Sequence, residues 1–306
     1  MPSLPFEHIA ATVTPEPTAL HLLSLACHMR HYDQLEITPV DDALLATTTA
    51  AHDTDNKDGK PSYKHFLDTG LVDPHKAESI TAFDGAVVLN VAALEQLPLR
   101  SLKDIVVVGS SATGKTTFAY GVMSFLVNAS RSRHGIVLPK RAISRPPREG
   151  DDTDENYYTP RDELEVAFED PSSSLLAWRR EMEGDRSEYY AFDYPDSDDV
   201  ASLGLLSGNN DLLRNPGKRL EKILQSGEIL IMRTGTPTSI RDKRLAKRSP
   251  DLSVDEMSYR LSDDGDDIAH EAHVTLYNHC EQYEGGMAVF GWFFAKAVST
   301  LLQKSV

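Results

Sequence analysis

Four apolar residues in a row, Ile105, Val106, Val107 and Val108, stand directly before Gly109. Past the glycine, apolar side chains return at helical spacing, at Phe118, Val122, Phe125 and Leu126. An unbroken β-branched run predicts a strand buried on both faces, and the second pattern predicts a helix against it. From about residue 102 the chain keeps alternating between these two patterns. Strands are predicted at 105–108, 135–138, 174–178, 228–232 and 273–277. Helices are predicted from the loop after Gly109 to about 127, then at 161–168, 211–226, 238–247, 254–261 and 286–302. Such alternation implies an α/β fold with a mainly parallel sheet flanked by helices and its ligand at the carboxyl ends of the strands. Residues 1–100 read differently, as a smaller N-terminal α/β or α+β region of unknown role. They carry a helical pattern at 18–31 (Leu20, Leu23, Cys27), a polar loop at 47–62 and a strand at 85–91. Residues 184–210, with Asp193, Asp196, Asp198 and Asp199, read as an acidic surface loop.

The predicted strand–loop–helix junction carries Gly109-Ser110-Ser111-Ala112-Thr113-Gly114-Lys115-Thr116-Thr117. Gly109-x-x-x-x-Gly114-Lys115-Thr116 is a complete P-loop. Its backbone amides can cradle phosphate oxygens at a helix N-terminus. Lys115 would reach the β- and γ-phosphates, and the Thr116 hydroxyl would bind Mg²⁺. ATP and Mg²⁺ are therefore the expected ligands.

Charge narrows the partners. A net charge of −16 over 306 residues argues against a nucleic-acid partner. It leaves room for a local basic pocket suited to a phosphorylated small molecule. No apolar run is long enough to cross a bilayer, so a membrane partner is not expected. The first residues have neither the basic nor the apolar stretch of a secretory signal. Two distant cysteines, Cys27 and Cys280, fit a reducing cytoplasm better than a disulfide framework. His28 and His31 lie one helical turn apart, but no third ligand stands at a metal-binding spacing. Self-association into a homo-oligomer is left open.

A basic loop supplies the acceptor side. In Ser144-Arg145-Pro146-Pro147-Arg148-Glu149-Gly150-Asp151, a rigid Pro-Pro pair separates two arginines. Arginine forks bind phosphate oxygens bidentately, and fixed proline φ angles limit the loop's freedom. Further on stand Asn156-Tyr157, Leu175-Leu176-Ala177-Trp178, Tyr189-Tyr190, Arg244-Leu245-Ala246-Lys247-Arg248, Arg260 and His273-Val274-Thr275-Leu276-Tyr277-Asn278. Taken in this order after a P-loop, these segments resemble the guanylate kinase family over about residues 102–306. The resemblance implies a P-loop kinase domain at 101–306. It implies that Gly109 to Thr117 and Asn278 hold ATP, with Mg²⁺ on Thr116. Lys115, Arg244, Arg248 and Arg260 would act on the transferring phosphoryl group. Arg145, Arg148, Asp151, Tyr157 and Tyr190 would hold a phosphorylated acceptor.

The departures concern the guanine-reading positions. Arg141, Ala177 and Phe192 stand where the family has a serine, a glutamate and a serine, and Ala191 replaces a glycine. Acidic positions of the later strand give way to Ile231-Met232-Arg233-Thr234-Gly235. Arg141 and Arg233 would add positive charge to the acceptor pocket. The expected acceptor is thus a small phosphorylated molecule other than GMP, such as a sugar phosphate or bisphosphate. Ribose 1,5-bisphosphate phosphokinase, in the same superfamily, also has weakened base-reading positions. Two alternatives stay open. One is a guanylate kinase whose acidic reader lies elsewhere, at Asp151, Asp152 or Glu169. The other is a non-catalytic nucleotide-binding regulatory protein. Ala112 stands where the family has a glycine, so a left-handed backbone there would be strained.

Overall fold

The computed structural model describes residues 32–40, 43–50, 85–90, 93, 96, 97, 102–128, 135–137, 139–147, 156–182, 186–194, 202–278 and 291. Two sheets share one core cluster. The larger has eight strands among the described residues. Its parallel core is β5 (Gly135–Val137), β10 (Ser202–Ser207), β4 (Asp104–Gly109), β11 (Ile229–Gly235) and β12 (Val274–Asn278). On the β12 edge, β3 (Gly85–Asn90), β2 (Ala43–Ala50) and β1 (Tyr32–Val40) continue the sheet in antiparallel pairing. The smaller sheet has four strands: β7 (Asn156–Tyr158), β6 (Arg141–Ile143), β9 (Ser187–Asp193) and β8 (Leu175–Glu181). The class is α/β, with the parallel strands flanked by helices.

Helix α1 (Lys115–Asn128) leaves the P-loop and buries Phe118, Ala119 and Val122. Helix α2 (Arg161–Glu169) covers the outer face of the small sheet, packing Leu164 and Ala167 on Ala142, Ala177, Tyr189 and Ala191. The inner face is the main core. There Ile143, Leu176, Trp178, Tyr190 and Phe192 meet Val106, Val108, Leu206, Ile229 and Ile231 of the large sheet. Since successive strand residues point to opposite faces, these two clusters decide which side chains line the cleft between the sheets.

Several predicted elements change. The segment expected as a loop at 184–210 holds β9 and β10, and β10 is an interior strand with Leu205 and Leu206 fully buried. Its apolar run is short and interrupted by Gly204, which hid the pattern. That glycine is required by close approach, because a Cβ would lie 2.2 Å from the Asp104 carboxylate. The expected helix 211–226 is two pieces, α3 (Asp211–Arg214) and α4 (Lys218–Leu224). Pro216 breaks it, and Gly217 docks on β8, donating to the Ala177 carbonyl at 2.8 Å. Residues 47–50, expected in a loop, belong to β2, while the remainder of that loop lies outside the described residues. Strand β1 was not predicted, although Leu35 and Ile37 alternate with polar neighbours. Helices predicted at 18–31 and 286–302 fall outside the described residues, apart from a helical Gly291. The remaining helices among the described residues are α5 (Thr238–Arg248), α6 (Val254–Ser262) and a 3₁₀ turn at Asp266–Glu271. Among the described residues, no helix is long and apolar enough to cross a membrane.

Candidate functional site

The P-loop follows β4 directly, and the neighbouring strand β11 holds it. A Cβ on Gly109 would lie 2.3 Å from Thr234 Oγ1 and 2.5 Å from the Thr234 carbonyl, so only glycine fits there. Gly114 has φ +98° and Ala112 φ +64°. Ala112 is the one non-glycine residue in the left-handed region among those described, a conformation costing about 1 kcal/mol.

Five consecutive carbonyls of the loop accept hydrogen bonds from side chains. Lys115 Nζ donates to Gly109 O at 2.6 Å and Ser110 O at 2.7 Å. Arg241 Nε reaches Ser111 O at 3.3 Å, and Arg244 Nη1 reaches Ala112 O at 2.8 Å. Thr236 Oγ1 and Asn278 Nδ2 approach Thr113 O at 3.4 and 3.5 Å. These bonds fix the peptide planes while using carbonyls only. The amides, which do the anion binding in such a loop, are not consumed by them. Thr113 Oγ1 adds a 2.7 Å bond to Thr234 Oγ1.

Lys115 is half-buried, and its pKa is pushed down to about 7. Burial is the main cause; Arg141, Arg248 and Arg241 add to it, and Asp263 opposes. The charges of Arg141 of the small sheet and Arg248 of α5 thus act on the P-loop lysine. Thr116 is exposed on the first turn of α1. Ser110 is buried and accepts from Asn210 Nδ2 at 3.1 Å. Asn210 also donates to Asp263 at 2.8 Å, and Arg214 binds Asp263 and Asp267. Burial and the Asp263 carboxylate push Asp211 up to about 6, against the pull of Arg180 and Arg214. No group of three or more potential metal ligands occurs among the described residues.

Across the cleft, strand register sorts the small sheet. Arg141 lies opposite Phe192 and Asn156, Ile143 opposite Tyr190 and Tyr158, Trp178 opposite Tyr190, and Arg180 opposite Glu188. This face looks toward the P-loop. Arg141 Nε donates to Asn156 Oδ1 at 2.9 Å. Tyr190 donates its hydroxyl to Glu188 at 2.5 Å and stacks on Trp178 with ring centroids 5.4 Å apart. Burial, then the Glu188 carboxylate, raises the Tyr190 pKa, while Arg180 and Arg145 oppose. Arg180, Glu188 and Tyr190 thus share the face of the small sheet that carries Arg141, and the Arg145 charge acts on Tyr190 there.

A guanylate kinase from Anaplasma phagocytophilum aligns with TM-score 0.36 and 15% identity, over 66% of this chain and 85% of that one. That likeness is too distant to bear on activity. No family model matches the chain, and no curated protein matches it.

Not every residue singled out from sequence reaches the cleft. Tyr157 packs with Phe168 and Leu175 on the α2 side of the small sheet, so Tyr158 is the tyrosine on the cleft face. Ala177 also packs on the α2 side, and the replacement at that position therefore says nothing about the pocket. Glu169 sits exposed at the end of α2, paired with Lys218 at 2.9 Å. Arg233 is buried and donates to the Asp264 carbonyl at 2.7 Å, binding β11 to the segment after α6. Arg260 pairs with Glu256 of its own helix at 2.6 Å. Arg148, Asp151 and Asp152 lie outside the described residues.

Sequence reasoning missed Thr234, Thr236, Asn210, Arg180, Glu188 and Arg241. Glu188 was legible once β9 is accepted, being two residues from Tyr190 and on its face. Arg241 was hidden in a basic helix where nothing separates a buried arginine from solvated ones.

Proposed function

We propose that the chain is an ATP-dependent kinase transferring a phosphoryl group to a small phosphorylated acceptor other than GMP. The observation carrying this reading is a complete P-loop whose Lys115 lies in the field of Arg141, on the face of the small sheet that also carries Arg180. The residues fit a nucleotide triphosphate. Five tied carbonyls leave the amides to the phosphates, and Lys115 has only main-chain carbonyls to release. Mg²⁺ bound with ATP would sit on the Thr116 hydroxyl and neutralise phosphate charge.

Phosphoryl transfer asks the protein for positioning and charge neutralisation. An oxygen of the acceptor's phosphate attacks the γ-phosphorus, the bond to the bridging oxygen of ADP breaks, and ADP leaves with that electron pair. The attacking oxygen is already ionised near neutral pH, so no catalytic base is required. Lys115, Arg244 and Arg248 would hold the transferring group, and Arg141 and Arg145 the acceptor's phosphate. Glu188 and Tyr190 would then hydrogen-bond the rest of the acceptor.

One observation favours a second reading, GMP as acceptor. Glu188 puts a carboxylate on the cleft face, where the N–H edge of guanine would find an acceptor. ADP release from Mg·ATP separates the two. The panel is GMP, dGMP, AMP, ribose 5-phosphate, ribose 1,5-bisphosphate and other sugar phosphates, with Lys115→Ala as blank. Turnover with a sugar phosphate and not GMP is expected. Turnover with GMP alone would replace this reading by the second, and silence with every acceptor would count against both.

A further inference from the structure

Arg241 is an anomaly that phosphate binding does not absorb. It lies in the first turn of α5 and is 1% exposed, one of the largest fully buried side chains among the described residues. A buried guanidinium is costly unless well partnered, and a hydrocarbon of similar size is often the more stable choice. Arg241 meets that cost with three main-chain carbonyls. Nε donates to Ser111 O at 3.3 Å, Nη1 to Leu261 O at 3.4 Å and Nη2 to Arg260 O at 2.5 Å. Asp263 and Asp264, just beyond, add favourable charge. One planar fork therefore grips the P-loop and the last turn of α6 together, which a point charge cannot do as well.

The last turn of α6 leads elsewhere. The Tyr259 hydroxyl donates to the Glu181 carbonyl at the end of β8, and Arg180 lies 5.2 Å above the Tyr259 ring. Arg180 in turn faces Glu188 across the β8–β9 pair. A continuous path runs from Ser111 through Arg241 and Tyr259 to the wall that carries the acceptor cluster. Spatial continuity alone does not establish coupling; a measured energetic link between the two ends does.

We propose that Arg241 is a positioning residue that couples the P-loop to the end of α6, so that filling the donor site orders the α6 contact with the acceptor wall. This rests on the nucleotide-binding reading above. When phosphates settle into the loop, the Ser111 peptide, already tied through its carbonyl, is held at its amide as well. Through the guanidinium, so are the Arg260 and Leu261 carbonyls and the Tyr259 contact on β8.

Hydrogen exchange of the full chain, with and without Mg·ATP, tests it. In the wild type, Mg·ATP should slow exchange in peptides covering 109–117 and 256–266. Arg241→Gln should keep the first protection and return the second toward its ligand-free rate, by about fivefold or more. Turnover should fall while Mg·ATP affinity holds. Arg241→Lys, which keeps the charge and gives up the fork, should restore part of the coupling, and it carries the test if the glutamine variant fails to fold. Both protections surviving in Arg241→Gln, or both falling equally, would overturn the proposal. A wild type protected at 109–117 and indifferent at 256–266 would overturn the coupling alone. Indifference at both would overturn the nucleotide reading, and the coupling with it.

Discussion

The two walls of the cleft are built in opposite ways. The P-loop wall is contiguous: Gly109 to Thr117 follow one another, and their local geometry accounts for most of what they do. The facing wall is assembled from β6, β7, β8 and β9, so its members depend on strand parity. A shift of one residue exchanges cleft and exterior. Tyr157 and Tyr158 differ by one position and lie on opposite faces of the small sheet, as do Ala177 and Trp178. A contiguous motif can be read without knowing the fold, whereas a wall composed across strands cannot.

The largest effect should separate the walls most sharply. Lys115→Ala is expected to lower phosphoryl transfer by about 10³-fold or more with the fold retained, since it removes a preorganised charge at the transferring group. Steady-state turnover together with circular dichroism checks this; unchanged turnover would remove the P-loop from the chemistry.

Arg145→Ala should raise the acceptor KM by about 10²-fold, the loss of a charge-assisted bidentate contact, and leave Mg·ATP affinity within about twofold. Comparable damage to both ligands would erase the distinction between the walls.

The floor beneath the donor wall has its own titration. His273 Nδ1 accepts the Ile231 N–H at 3.0 Å, and burial pushes its pKa down to about 4. The unfolded chain therefore takes up this proton first as pH falls below about 6.5, and stability contributed by the neutral imidazole is lost between there and pH 4. At pH 5 the loss is about 2 kcal/mol. His273→Asn keeps an acceptor that does not titrate, so its denaturation midpoint should change less between pH 7 and pH 5. An identical acid dependence would show that His273 is not the group responsible.

The smallest effect concerns proton uptake. Lys115 is pushed down to about 7, and a bound phosphate would raise it again. The complex then holds more protons than the free protein, so binding is tightest below pH 7 and weakens above it. Mg·ATP affinity should fall about fivefold from pH 7 to 8. Calorimetry in buffers of different ionisation heat should detect the uptake; a flat profile would place the lysine outside the phosphate site.

Much of the fold was legible because its periodicities were long. Helices α1, α2, α5 and α6 fall where the apolar spacing put them. Strand β10 was missed because its apolar residues flank Gly204 and adjoin an acidic run. The pattern at 211–226 runs on across Pro216, whose consequence is set by Gly217 docking on β8. Lys115 and Thr116 are named from spacing alone, and they stand at the loop–helix junction that the spacing predicts. Arg241, Asn210 and Glu188 were not, because their roles arise from contacts more than fifty residues away or from a strand that was itself missed.

The division between donor and acceptor walls is tested most directly by titrating Mg·ATP into the wild type, Lys115→Ala and Arg145→Ala. Saturable one-to-one binding by the wild type, lost in Lys115→Ala and retained in Arg145→Ala, is the expected result. No binding by the wild type, or equal losses in the two variants, would contradict it.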